Sequence, residues 1–192
     1  LSAELDRCRR LAIPFLVTHI GHHLGDGIAG GRTRVISAIN KALRDSENDV
    51  ILLLENTAGE KNSVGSSFEH IRGIMDGIEK KHRIGVCLDT CHAFAAGYEL
   101  RTDLGIAETF AQFDEQIGIK NLRIIHLNDS KGDRGSSLDR HEHIGMGFIG
   151  EDGFRRILHH PALSSLPLIC ETPVDDRRDD VGNIAKVREL AK

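Results

Sequence analysis

Short apolar runs alternate along the chain with helical stretches, and this predicts an α/β protein with a parallel sheet and right-handed crossovers. Three observations carry the expectation further, to a TIM-like (β/α) barrel. The alternation persists from end to end. The apolar runs are nearly continuous, as expected for strands covered by helices on one face and by a filled barrel interior on the other. Finally, five runs stop on a residue type that binds metals: PFLVTH at His19, ILLLE at Glu55, GVCLD at Asp89, LRIIH at His126 and LPLICE at Glu171. A carboxylate beside a stranded core is costly unless it is paired, hydrogen-bonded or coordinated. An open doubly wound sheet uses one or two strand ends at its switch point, whereas a barrel gathers every strand end at one mouth. A whole barrel needs eight strands. Residues 1–192 are therefore expected to form a single domain covering the C-terminal five β/α units, incomplete at the N-terminus, since the chain opens at Leu1 directly in a helical pattern.

The elements follow in order. A helix is expected over about Ser2–Leu11 and a strand at about Phe15–Thr18, then a Gly-rich loop over Ile20–Gly31. Arg32–Arg44 reads as an amphipathic helix with Val35, Ile36, Ile39 and Leu43 on one face. A strand at Val50–Leu54 leads through a loop at Asn56–Ser66 to a helix over Phe68–Glu79, whose Ile71, Ile74, Met75 and Ile78 face inward. The third strand is Ile84–Leu88, the next helix Asp103–Gly118, and the fourth strand Leu122–Ile125. The polar loop Leu127–Gly150 is long enough to suggest function. Helix Glu151–His159, strand Leu168–Cys170 and a helix near Asp180–Ala191 complete the pattern.

The formal charge of −4 over 192 residues describes a globular chain, with no apolar stretch of membrane-spanning length and no signal-peptide pattern. A mildly acidic balance does not advertise nucleic-acid binding, but bound divalent cations would change the field that a phosphate meets. Cys8, Cys87, Cys91 and Cys170 lack zinc-ribbon spacing; Cys87 and Cys170 lie within expected strands and read as buried apolar residues. Reduced thiols favour an intracellular home.

Beyond the five endings, His92 follows Asp89 in DTCH, and Asp139 and His141 form an Asp-x-His pair in the long loop. His19, Glu55, Asp89, His92, His126, Asp139, His141 and Glu171 are too many for one tetrahedral ion and enough for two or three. Their mixed nitrogen and oxygen donors suit zinc or manganese in a catalytic cluster of the kind used for phosphoester hydrolysis. The bland reading of one strand-end carboxylate is a helix cap. His22, His23, His70, His82, His143, His159 and His160 are read as non-ligands: His70, His82, His159 and His160 from positions expected to be solvated, while His23 and His143 stand near proposed ligands. The Gly-rich stretches GDGIAGG and GMGFIG match no nucleotide fingerprint. Arg101, Lys131, Arg134 and Arg140 are the cations nearest the mouth.

Taken together, LLLENTAGEKNSVG (Leu52–Gly65), GVCLDTCHAFAAGYELRT (Gly85–Thr102) and HLNDSKGDRGSSLDRHEHIGMGFIG (His126–Gly150) resemble the three signature segments of the endonuclease IV family of apurinic/apyrimidinic endonucleases. THIGHHLG and CETP fall where that family has further ligand segments, although a proline usual in the family is replaced by Ile20. The resemblance implies a TIM-like barrel with a trinuclear zinc centre, with manganese as an alternative metal. Glu55 would bridge two zincs; Asp89, His126 and Glu171 would surround the second; His92, Asp139 and His141 would hold the third. His19 would be one of two histidines on the first, its partner upstream of Leu1. The implied activity is cleavage of DNA 5′ to abasic sites in base-excision repair, with Glu171 and Glu55 as catalytic residues and Lys131, Arg134 and Arg140 as phosphate contacts. The implied partner is double-stranded DNA containing abasic sites, with no membrane association, met by a monomer in the cytoplasm of a bacterium or the nucleus or mitochondrion of a eukaryote. The alternatives are a xylose-isomerase-like sugar isomerase or epimerase on a related barrel, and an inactive fragment.

Overall fold

The computed structural model describes residues 1–163 and 165–192. A parallel sheet runs in the order β1 (Phe15–His19), β2 (Ile51–Glu55), β3 (Ile84–Asp89), β4 (Leu122–His126) and β7 (Leu168–Ile169). Sequential neighbours pair in chain order, as the crossover rules require. The helices α1 (Ser2–Arg10), α2 (Gly27–Asp45), α3 (Phe68–Gly77), α4 (Thr90–Ala95), α5 (Asp103–Gln116), α6 (Gly150–Leu158) and α7 (Asp180–Leu190) intervene.

The two-residue period of a strand divides its side chains between two cores. Leu52, Leu54, Val86, Leu88 and Ile125 pack with the helices in the main cluster. Leu53, Cys87 and Ile124 form a separate small cluster with Phe15, Val17 and Ile51 against it. Two positions beyond that second set lie His19, Glu55, Asp89 and His126. The same alternation that builds the apolar floor therefore lifts these polar residues above it, at the C-terminal ends of the strands. Register supports this: His19 pairs with Glu55, Glu55 with Cys87, and Asp89 with His126.

Several elements differ from expectation. α2 begins at Gly27, so part of the stretch read as a Gly-rich loop is its first turn. Gly31 is needed there, because a Cβ would lie 2.8 Å from both His23 Cβ and Val64 Cγ2. Thr90–Ala95 forms a short helix directly after β3. The long loop carries a two-stranded antiparallel pair, β5 (Asp129–Ser130) with β6 (His141–Glu142), which closes its middle part into a hairpin-like excursion. β7 is only two residues long, which leaves Glu171 beyond the strand. Cys8, Cys87 and Cys91 are buried free thiols, while Cys170 is half-buried.

Candidate metal centre

The strand ends converge. Ligand atoms of Glu55, Asp89, His126 and Glu171 all lie within 4.8 Å of one another, and so do those of Asp89, His92 and His141. Asp89 belongs to both groups. Its carboxylate is completely buried, and Oδ1 accepts the amide of His92, capping α4. The capping and ligand readings of this residue are thus compatible, because the second oxygen remains directed toward the cluster.

Glu55 joins the sides. Its Oε2 is 3.2 Å from His19 Nε2 and its Oε1 is 2.9 Å from His126 Nδ1. The same His126 nitrogen is 3.0 Å from Glu171 Oε2. Burial works against the Glu55 anion, yet the hydrogen bonds to His126 and His19 hold its pKa down at about 2. For His92, burial is the largest influence and lowers the pKa, but Asp139, Asp89 and Glu55 outweigh it and raise the value to about 9. In return the His92 hydrogen bond holds Asp139 at about 2. Burial drives the Asp89 pKa upward, with His92 and His141 opposing.

Two imidazoles are oriented through their outer nitrogens. His92 Nδ1–H donates to Asn56 O at 2.9 Å, and His141 Nδ1–H donates to Glu171 O at 3.0 Å. Both Nε2 atoms then face the cluster. His92 Nε2 is 3.1 Å from Asp139 Oδ1, and His141 Nε2 is 3.8 Å from the same oxygen. His141 Nε2 is buried and has no hydrogen-bond partner among the described residues, although it sits 3.7 Å from Asp89 Oδ2. Tautomers fixed by main-chain carbonyls, together with an orphaned nitrogen aimed at carboxylates, are what a divalent metal with nitrogen and oxygen ligands requires. The residues fit such an ion.

Two of the excluded histidines, His23 and His143, are engaged elsewhere. His23 Nδ1 accepts from Gly25 N at 3.2 Å and Gly27 N at 3.1 Å, at the start of α2. His143 is buried; its Nε2–H donates to Asp175 Oδ1 at 2.9 Å and its Nδ1 accepts from Asn183 at 3.0 Å. Solvation was the wrong reason for two of the others. His160 stacks on Phe110 with centroids 4.5 Å apart, and the Nδ1 of His70 is buried. Lys131, Arg134 and Arg140 are exposed. Arg134 reaches Glu99 at 3.5 Å, and Arg140 donates to the carbonyl of Asp139 at 3.0 Å.

Sequence reasoning missed the amides and carboxylates that support the centre. Asn56 clamps the main chain of Asp89, accepting from its N–H at 2.7 Å and donating to its carbonyl at 3.1 Å. Asn128 donates to Asp89 Oδ2 at 2.6 Å and accepts from Glu171 N at 2.8 Å. Asp129 shapes the rim: Oδ1 accepts from Ser130 and Ile149, and Oδ2 from Gly145, Gly147 and Gly150. The available signal was an asparagine one or two residues past a ligand-type strand end, as in Glu55-Asn56 and His126-Leu127-Asn128.

Fold and site together define part of a (β/α) barrel with a cluster of side chains that could hold a metal ion, and residues 1–192 match the family described as xylose isomerase-like TIM barrel. A probable endonuclease 4 of Methanoculleus marisnigri is 63% identical over 192 residues, covering 100% of this chain and 68% of that protein. The crystal structure of endonuclease IV from Thermus thermophilus superposes with a TM-score of 0.82 at 33% identity, covering 98% of this chain and 64% of that one. A D-tagatose 3-epimerase-like protein shares the fold alone, with a TM-score of 0.72 at 20% identity and coverage of 98% and 64%. The chain belongs to the endonuclease IV family. It spans about two thirds of the length of these relatives.

Proposed function

We propose that this chain carries the metal centre of a DNA-repair phosphodiesterase that cleaves the backbone 5′ to abasic sites and leaves a 3′-hydroxyl. The observation that carries the reading is the convergence of two ligand-type groups that share Asp89, one with Glu55, His126 and Glu171 and the other with His92 and His141. Zinc is the expected metal, with manganese as the alternative; His19, Glu55, Asp89, His126 and Glu171 would hold one part of the cluster and His92, Asp139 and His141 the other. When bound, divalent ions in such a site supply Lewis-acid stabilisation of phosphoryl oxygens and activation of water.

The chain's own residues define the remaining roles. Glu171 is half-exposed at the edge of the cluster, and its hydrogen bond with His126 keeps its pKa below the usual carboxylate range. It is therefore ionised at neutral pH and suited to orient an attacking water and accept its proton. Glu55, nearly buried between His19 and His126, fixes the spacing of the strand ends. Lys131, Arg134 and Arg140 offer positive charge to the DNA backbone, contacts that position a duplex without reading its sequence. Against a sugar isomerase or epimerase stands the His92, Asp139 and His141 set, which a site with one or two metals does not need.

The test combines elemental analysis with incision of a duplex bearing one abasic site. The zinc-loaded full-length protein should cut that strand on the 5′ side of the lesion, spare an undamaged duplex, and lose activity to a chelator. Absence of bound metal, or epimerisation of a ketose without incision, would reject the proposal.

A further inference from the structure

Four of the five strand-end residues are held by the sheet itself: His19, Glu55, Asp89 and His126 are each the last residue of a paired strand. Glu171 is not. β7 ends at Ile169, whose carbonyl accepts Leu127 N at 2.7 Å, and no ladder continues to Glu171. Its backbone is held instead by two side chains. Asn128 Oδ1 accepts its N–H and His141 Nδ1 donates to its carbonyl.

Asn128 is completely buried and stands between the two carboxylate-bearing segments. Its amide orientation is fixed chemically, since Glu171 N–H can only donate and the Asp89 carboxylate, when ionised, can only accept. Its main chain is fixed as well. Asn128 N donates to Thr90 Oγ1 at 2.9 Å, and Thr90 Oγ1 donates back to Asn128 O at 2.7 Å. One side chain thus sets the direction of the Asp89 carboxylate and the placement of Glu171 at the same time.

We infer that Asn128 is a positioning residue for the metal centre, doing for Glu171 what strand pairing does for the other strand-end residues. The inference rests on the metal reading proposed above. Substituting Asn128 should weaken binding at the group formed by Glu55, Asp89, His126 and Glu171 roughly 10–100-fold, the range found for partners that orient metal ligands. Effects should pass through Glu171 and Asp89 and not through loss of packing.

The experiment measures zinc affinity by chelator competition, and the visible spectrum of the cobalt-substituted form, in the full-length protein. Asn128→Ala removes both hydrogen bonds and leaves space; Asn128→Leu removes both and keeps nearly the volume. Both are expected to lose affinity and to alter the cobalt spectrum, while the chelated proteins keep their far-ultraviolet circular dichroism. In the Glu171→Ala background, Asn128→Ala should add less than its full loss, because the part that passes through Glu171 is already gone and only the part through Asp89 remains. Should the variants not fold, the wild-type protein still decides. Its Asn128 carboxamide resonances should shift in step with zinc loading, and unmoved resonances would overturn the inference. So would unchanged affinity in both variants, full rescue by leucine, or strictly additive losses. If Glu171→Ala alone leaves zinc binding unchanged, the metal reading itself fails, and that outcome is separate from failure at Asn128.

Discussion

The two ends of the sheet handle buried charge in opposite ways. At the N-terminal end, Arg83 is 3% exposed, yet its guanidinium is fully served by neutral acceptors: Val50 O, Ser46 O and Asn48 Oδ1. Lys80 donates to Leu43 O near the end of α2, and Lys81 to Asp76 O near the end of α3. Helix C-termini gather there, so cations meet the negative end of the helix dipole. At the C-terminal end the ionisable groups face one another. Asp89 has its pKa driven up by burial, and His141 Nε2 has no hydrogen-bond partner among the described residues. The first arrangement is complete within the protein. The second leaves His141 Nε2 without a hydrogen bond among the described residues, and in a barrel that end is where function is built.

The sharpest break of that contrast is Asp89→Asn. It keeps shape while removing the charge shared by both ligand groups. Metal content and incision of abasic DNA should fall together by more than the roughly 10–100-fold expected for an outer partner. Elemental analysis and the incision assay check this; a variant that keeps both its metal and its activity would erase the contrast. At the opposite end, Arg83→Met should leave zinc stoichiometry intact. It should cost about 2–4 kcal/mol in denaturant unfolding, because several buried carbonyls lose their donor. Loss of zinc in that variant would show that the two ends are not separable.

A smaller effect tests the mouth through pH. In the metal-free protein His92 titrates near 9, above its ordinary 6.5. A raised imidazole pKa contributes stability that is fully present below 6.5 and is lost as pH rises through 9. The chelated protein should therefore lose about 1–3 kcal/mol between these limits. The zinc-loaded protein should not follow it, since a coordinated imidazole carries no titrating proton. Parallel urea titrations of the two forms at several pH values would show the divergence, and coincident pH profiles would count against His92 as a ligand.

The strand ends were legible in the sequence because two independent patterns coincide there. An apolar run marks the strand, and a ligand type two positions beyond an inner-facing residue marks its polar exit, as with Leu53 and Glu55 or Ile124 and His126. The supporting groups were not legible, because their partners are distant in sequence: Asn56 reaches Asp89 across 33 residues and Asn128 reaches Glu171 across 43. The start of α2 was hidden by its glycines, of which Gly31 reflects close packing against His23 and Val64 that local helix propensity does not reveal. The helix Thr90–Ala95 was too short to show a period. The β5–β6 pair has two-residue strands, below the length at which alternation can be read.

Asp129 gives the rim of the mouth a particular kind of freedom. Its two oxygens draw in backbone amides from Ser130 through Gly150, and a Cβ at Gly147 would lie 2.4 Å from Ser130 O. The curve of the GMGFIG segment is therefore written by one acid and by glycines. Met146 and Phe148 project from it, 44% and 51% exposed. Shape and lettering are uncoupled along this stretch: the amides of 145, 147, 149 and 150 on Asp129 draw the contour, and the side chains at 146 and 148 only ride on it.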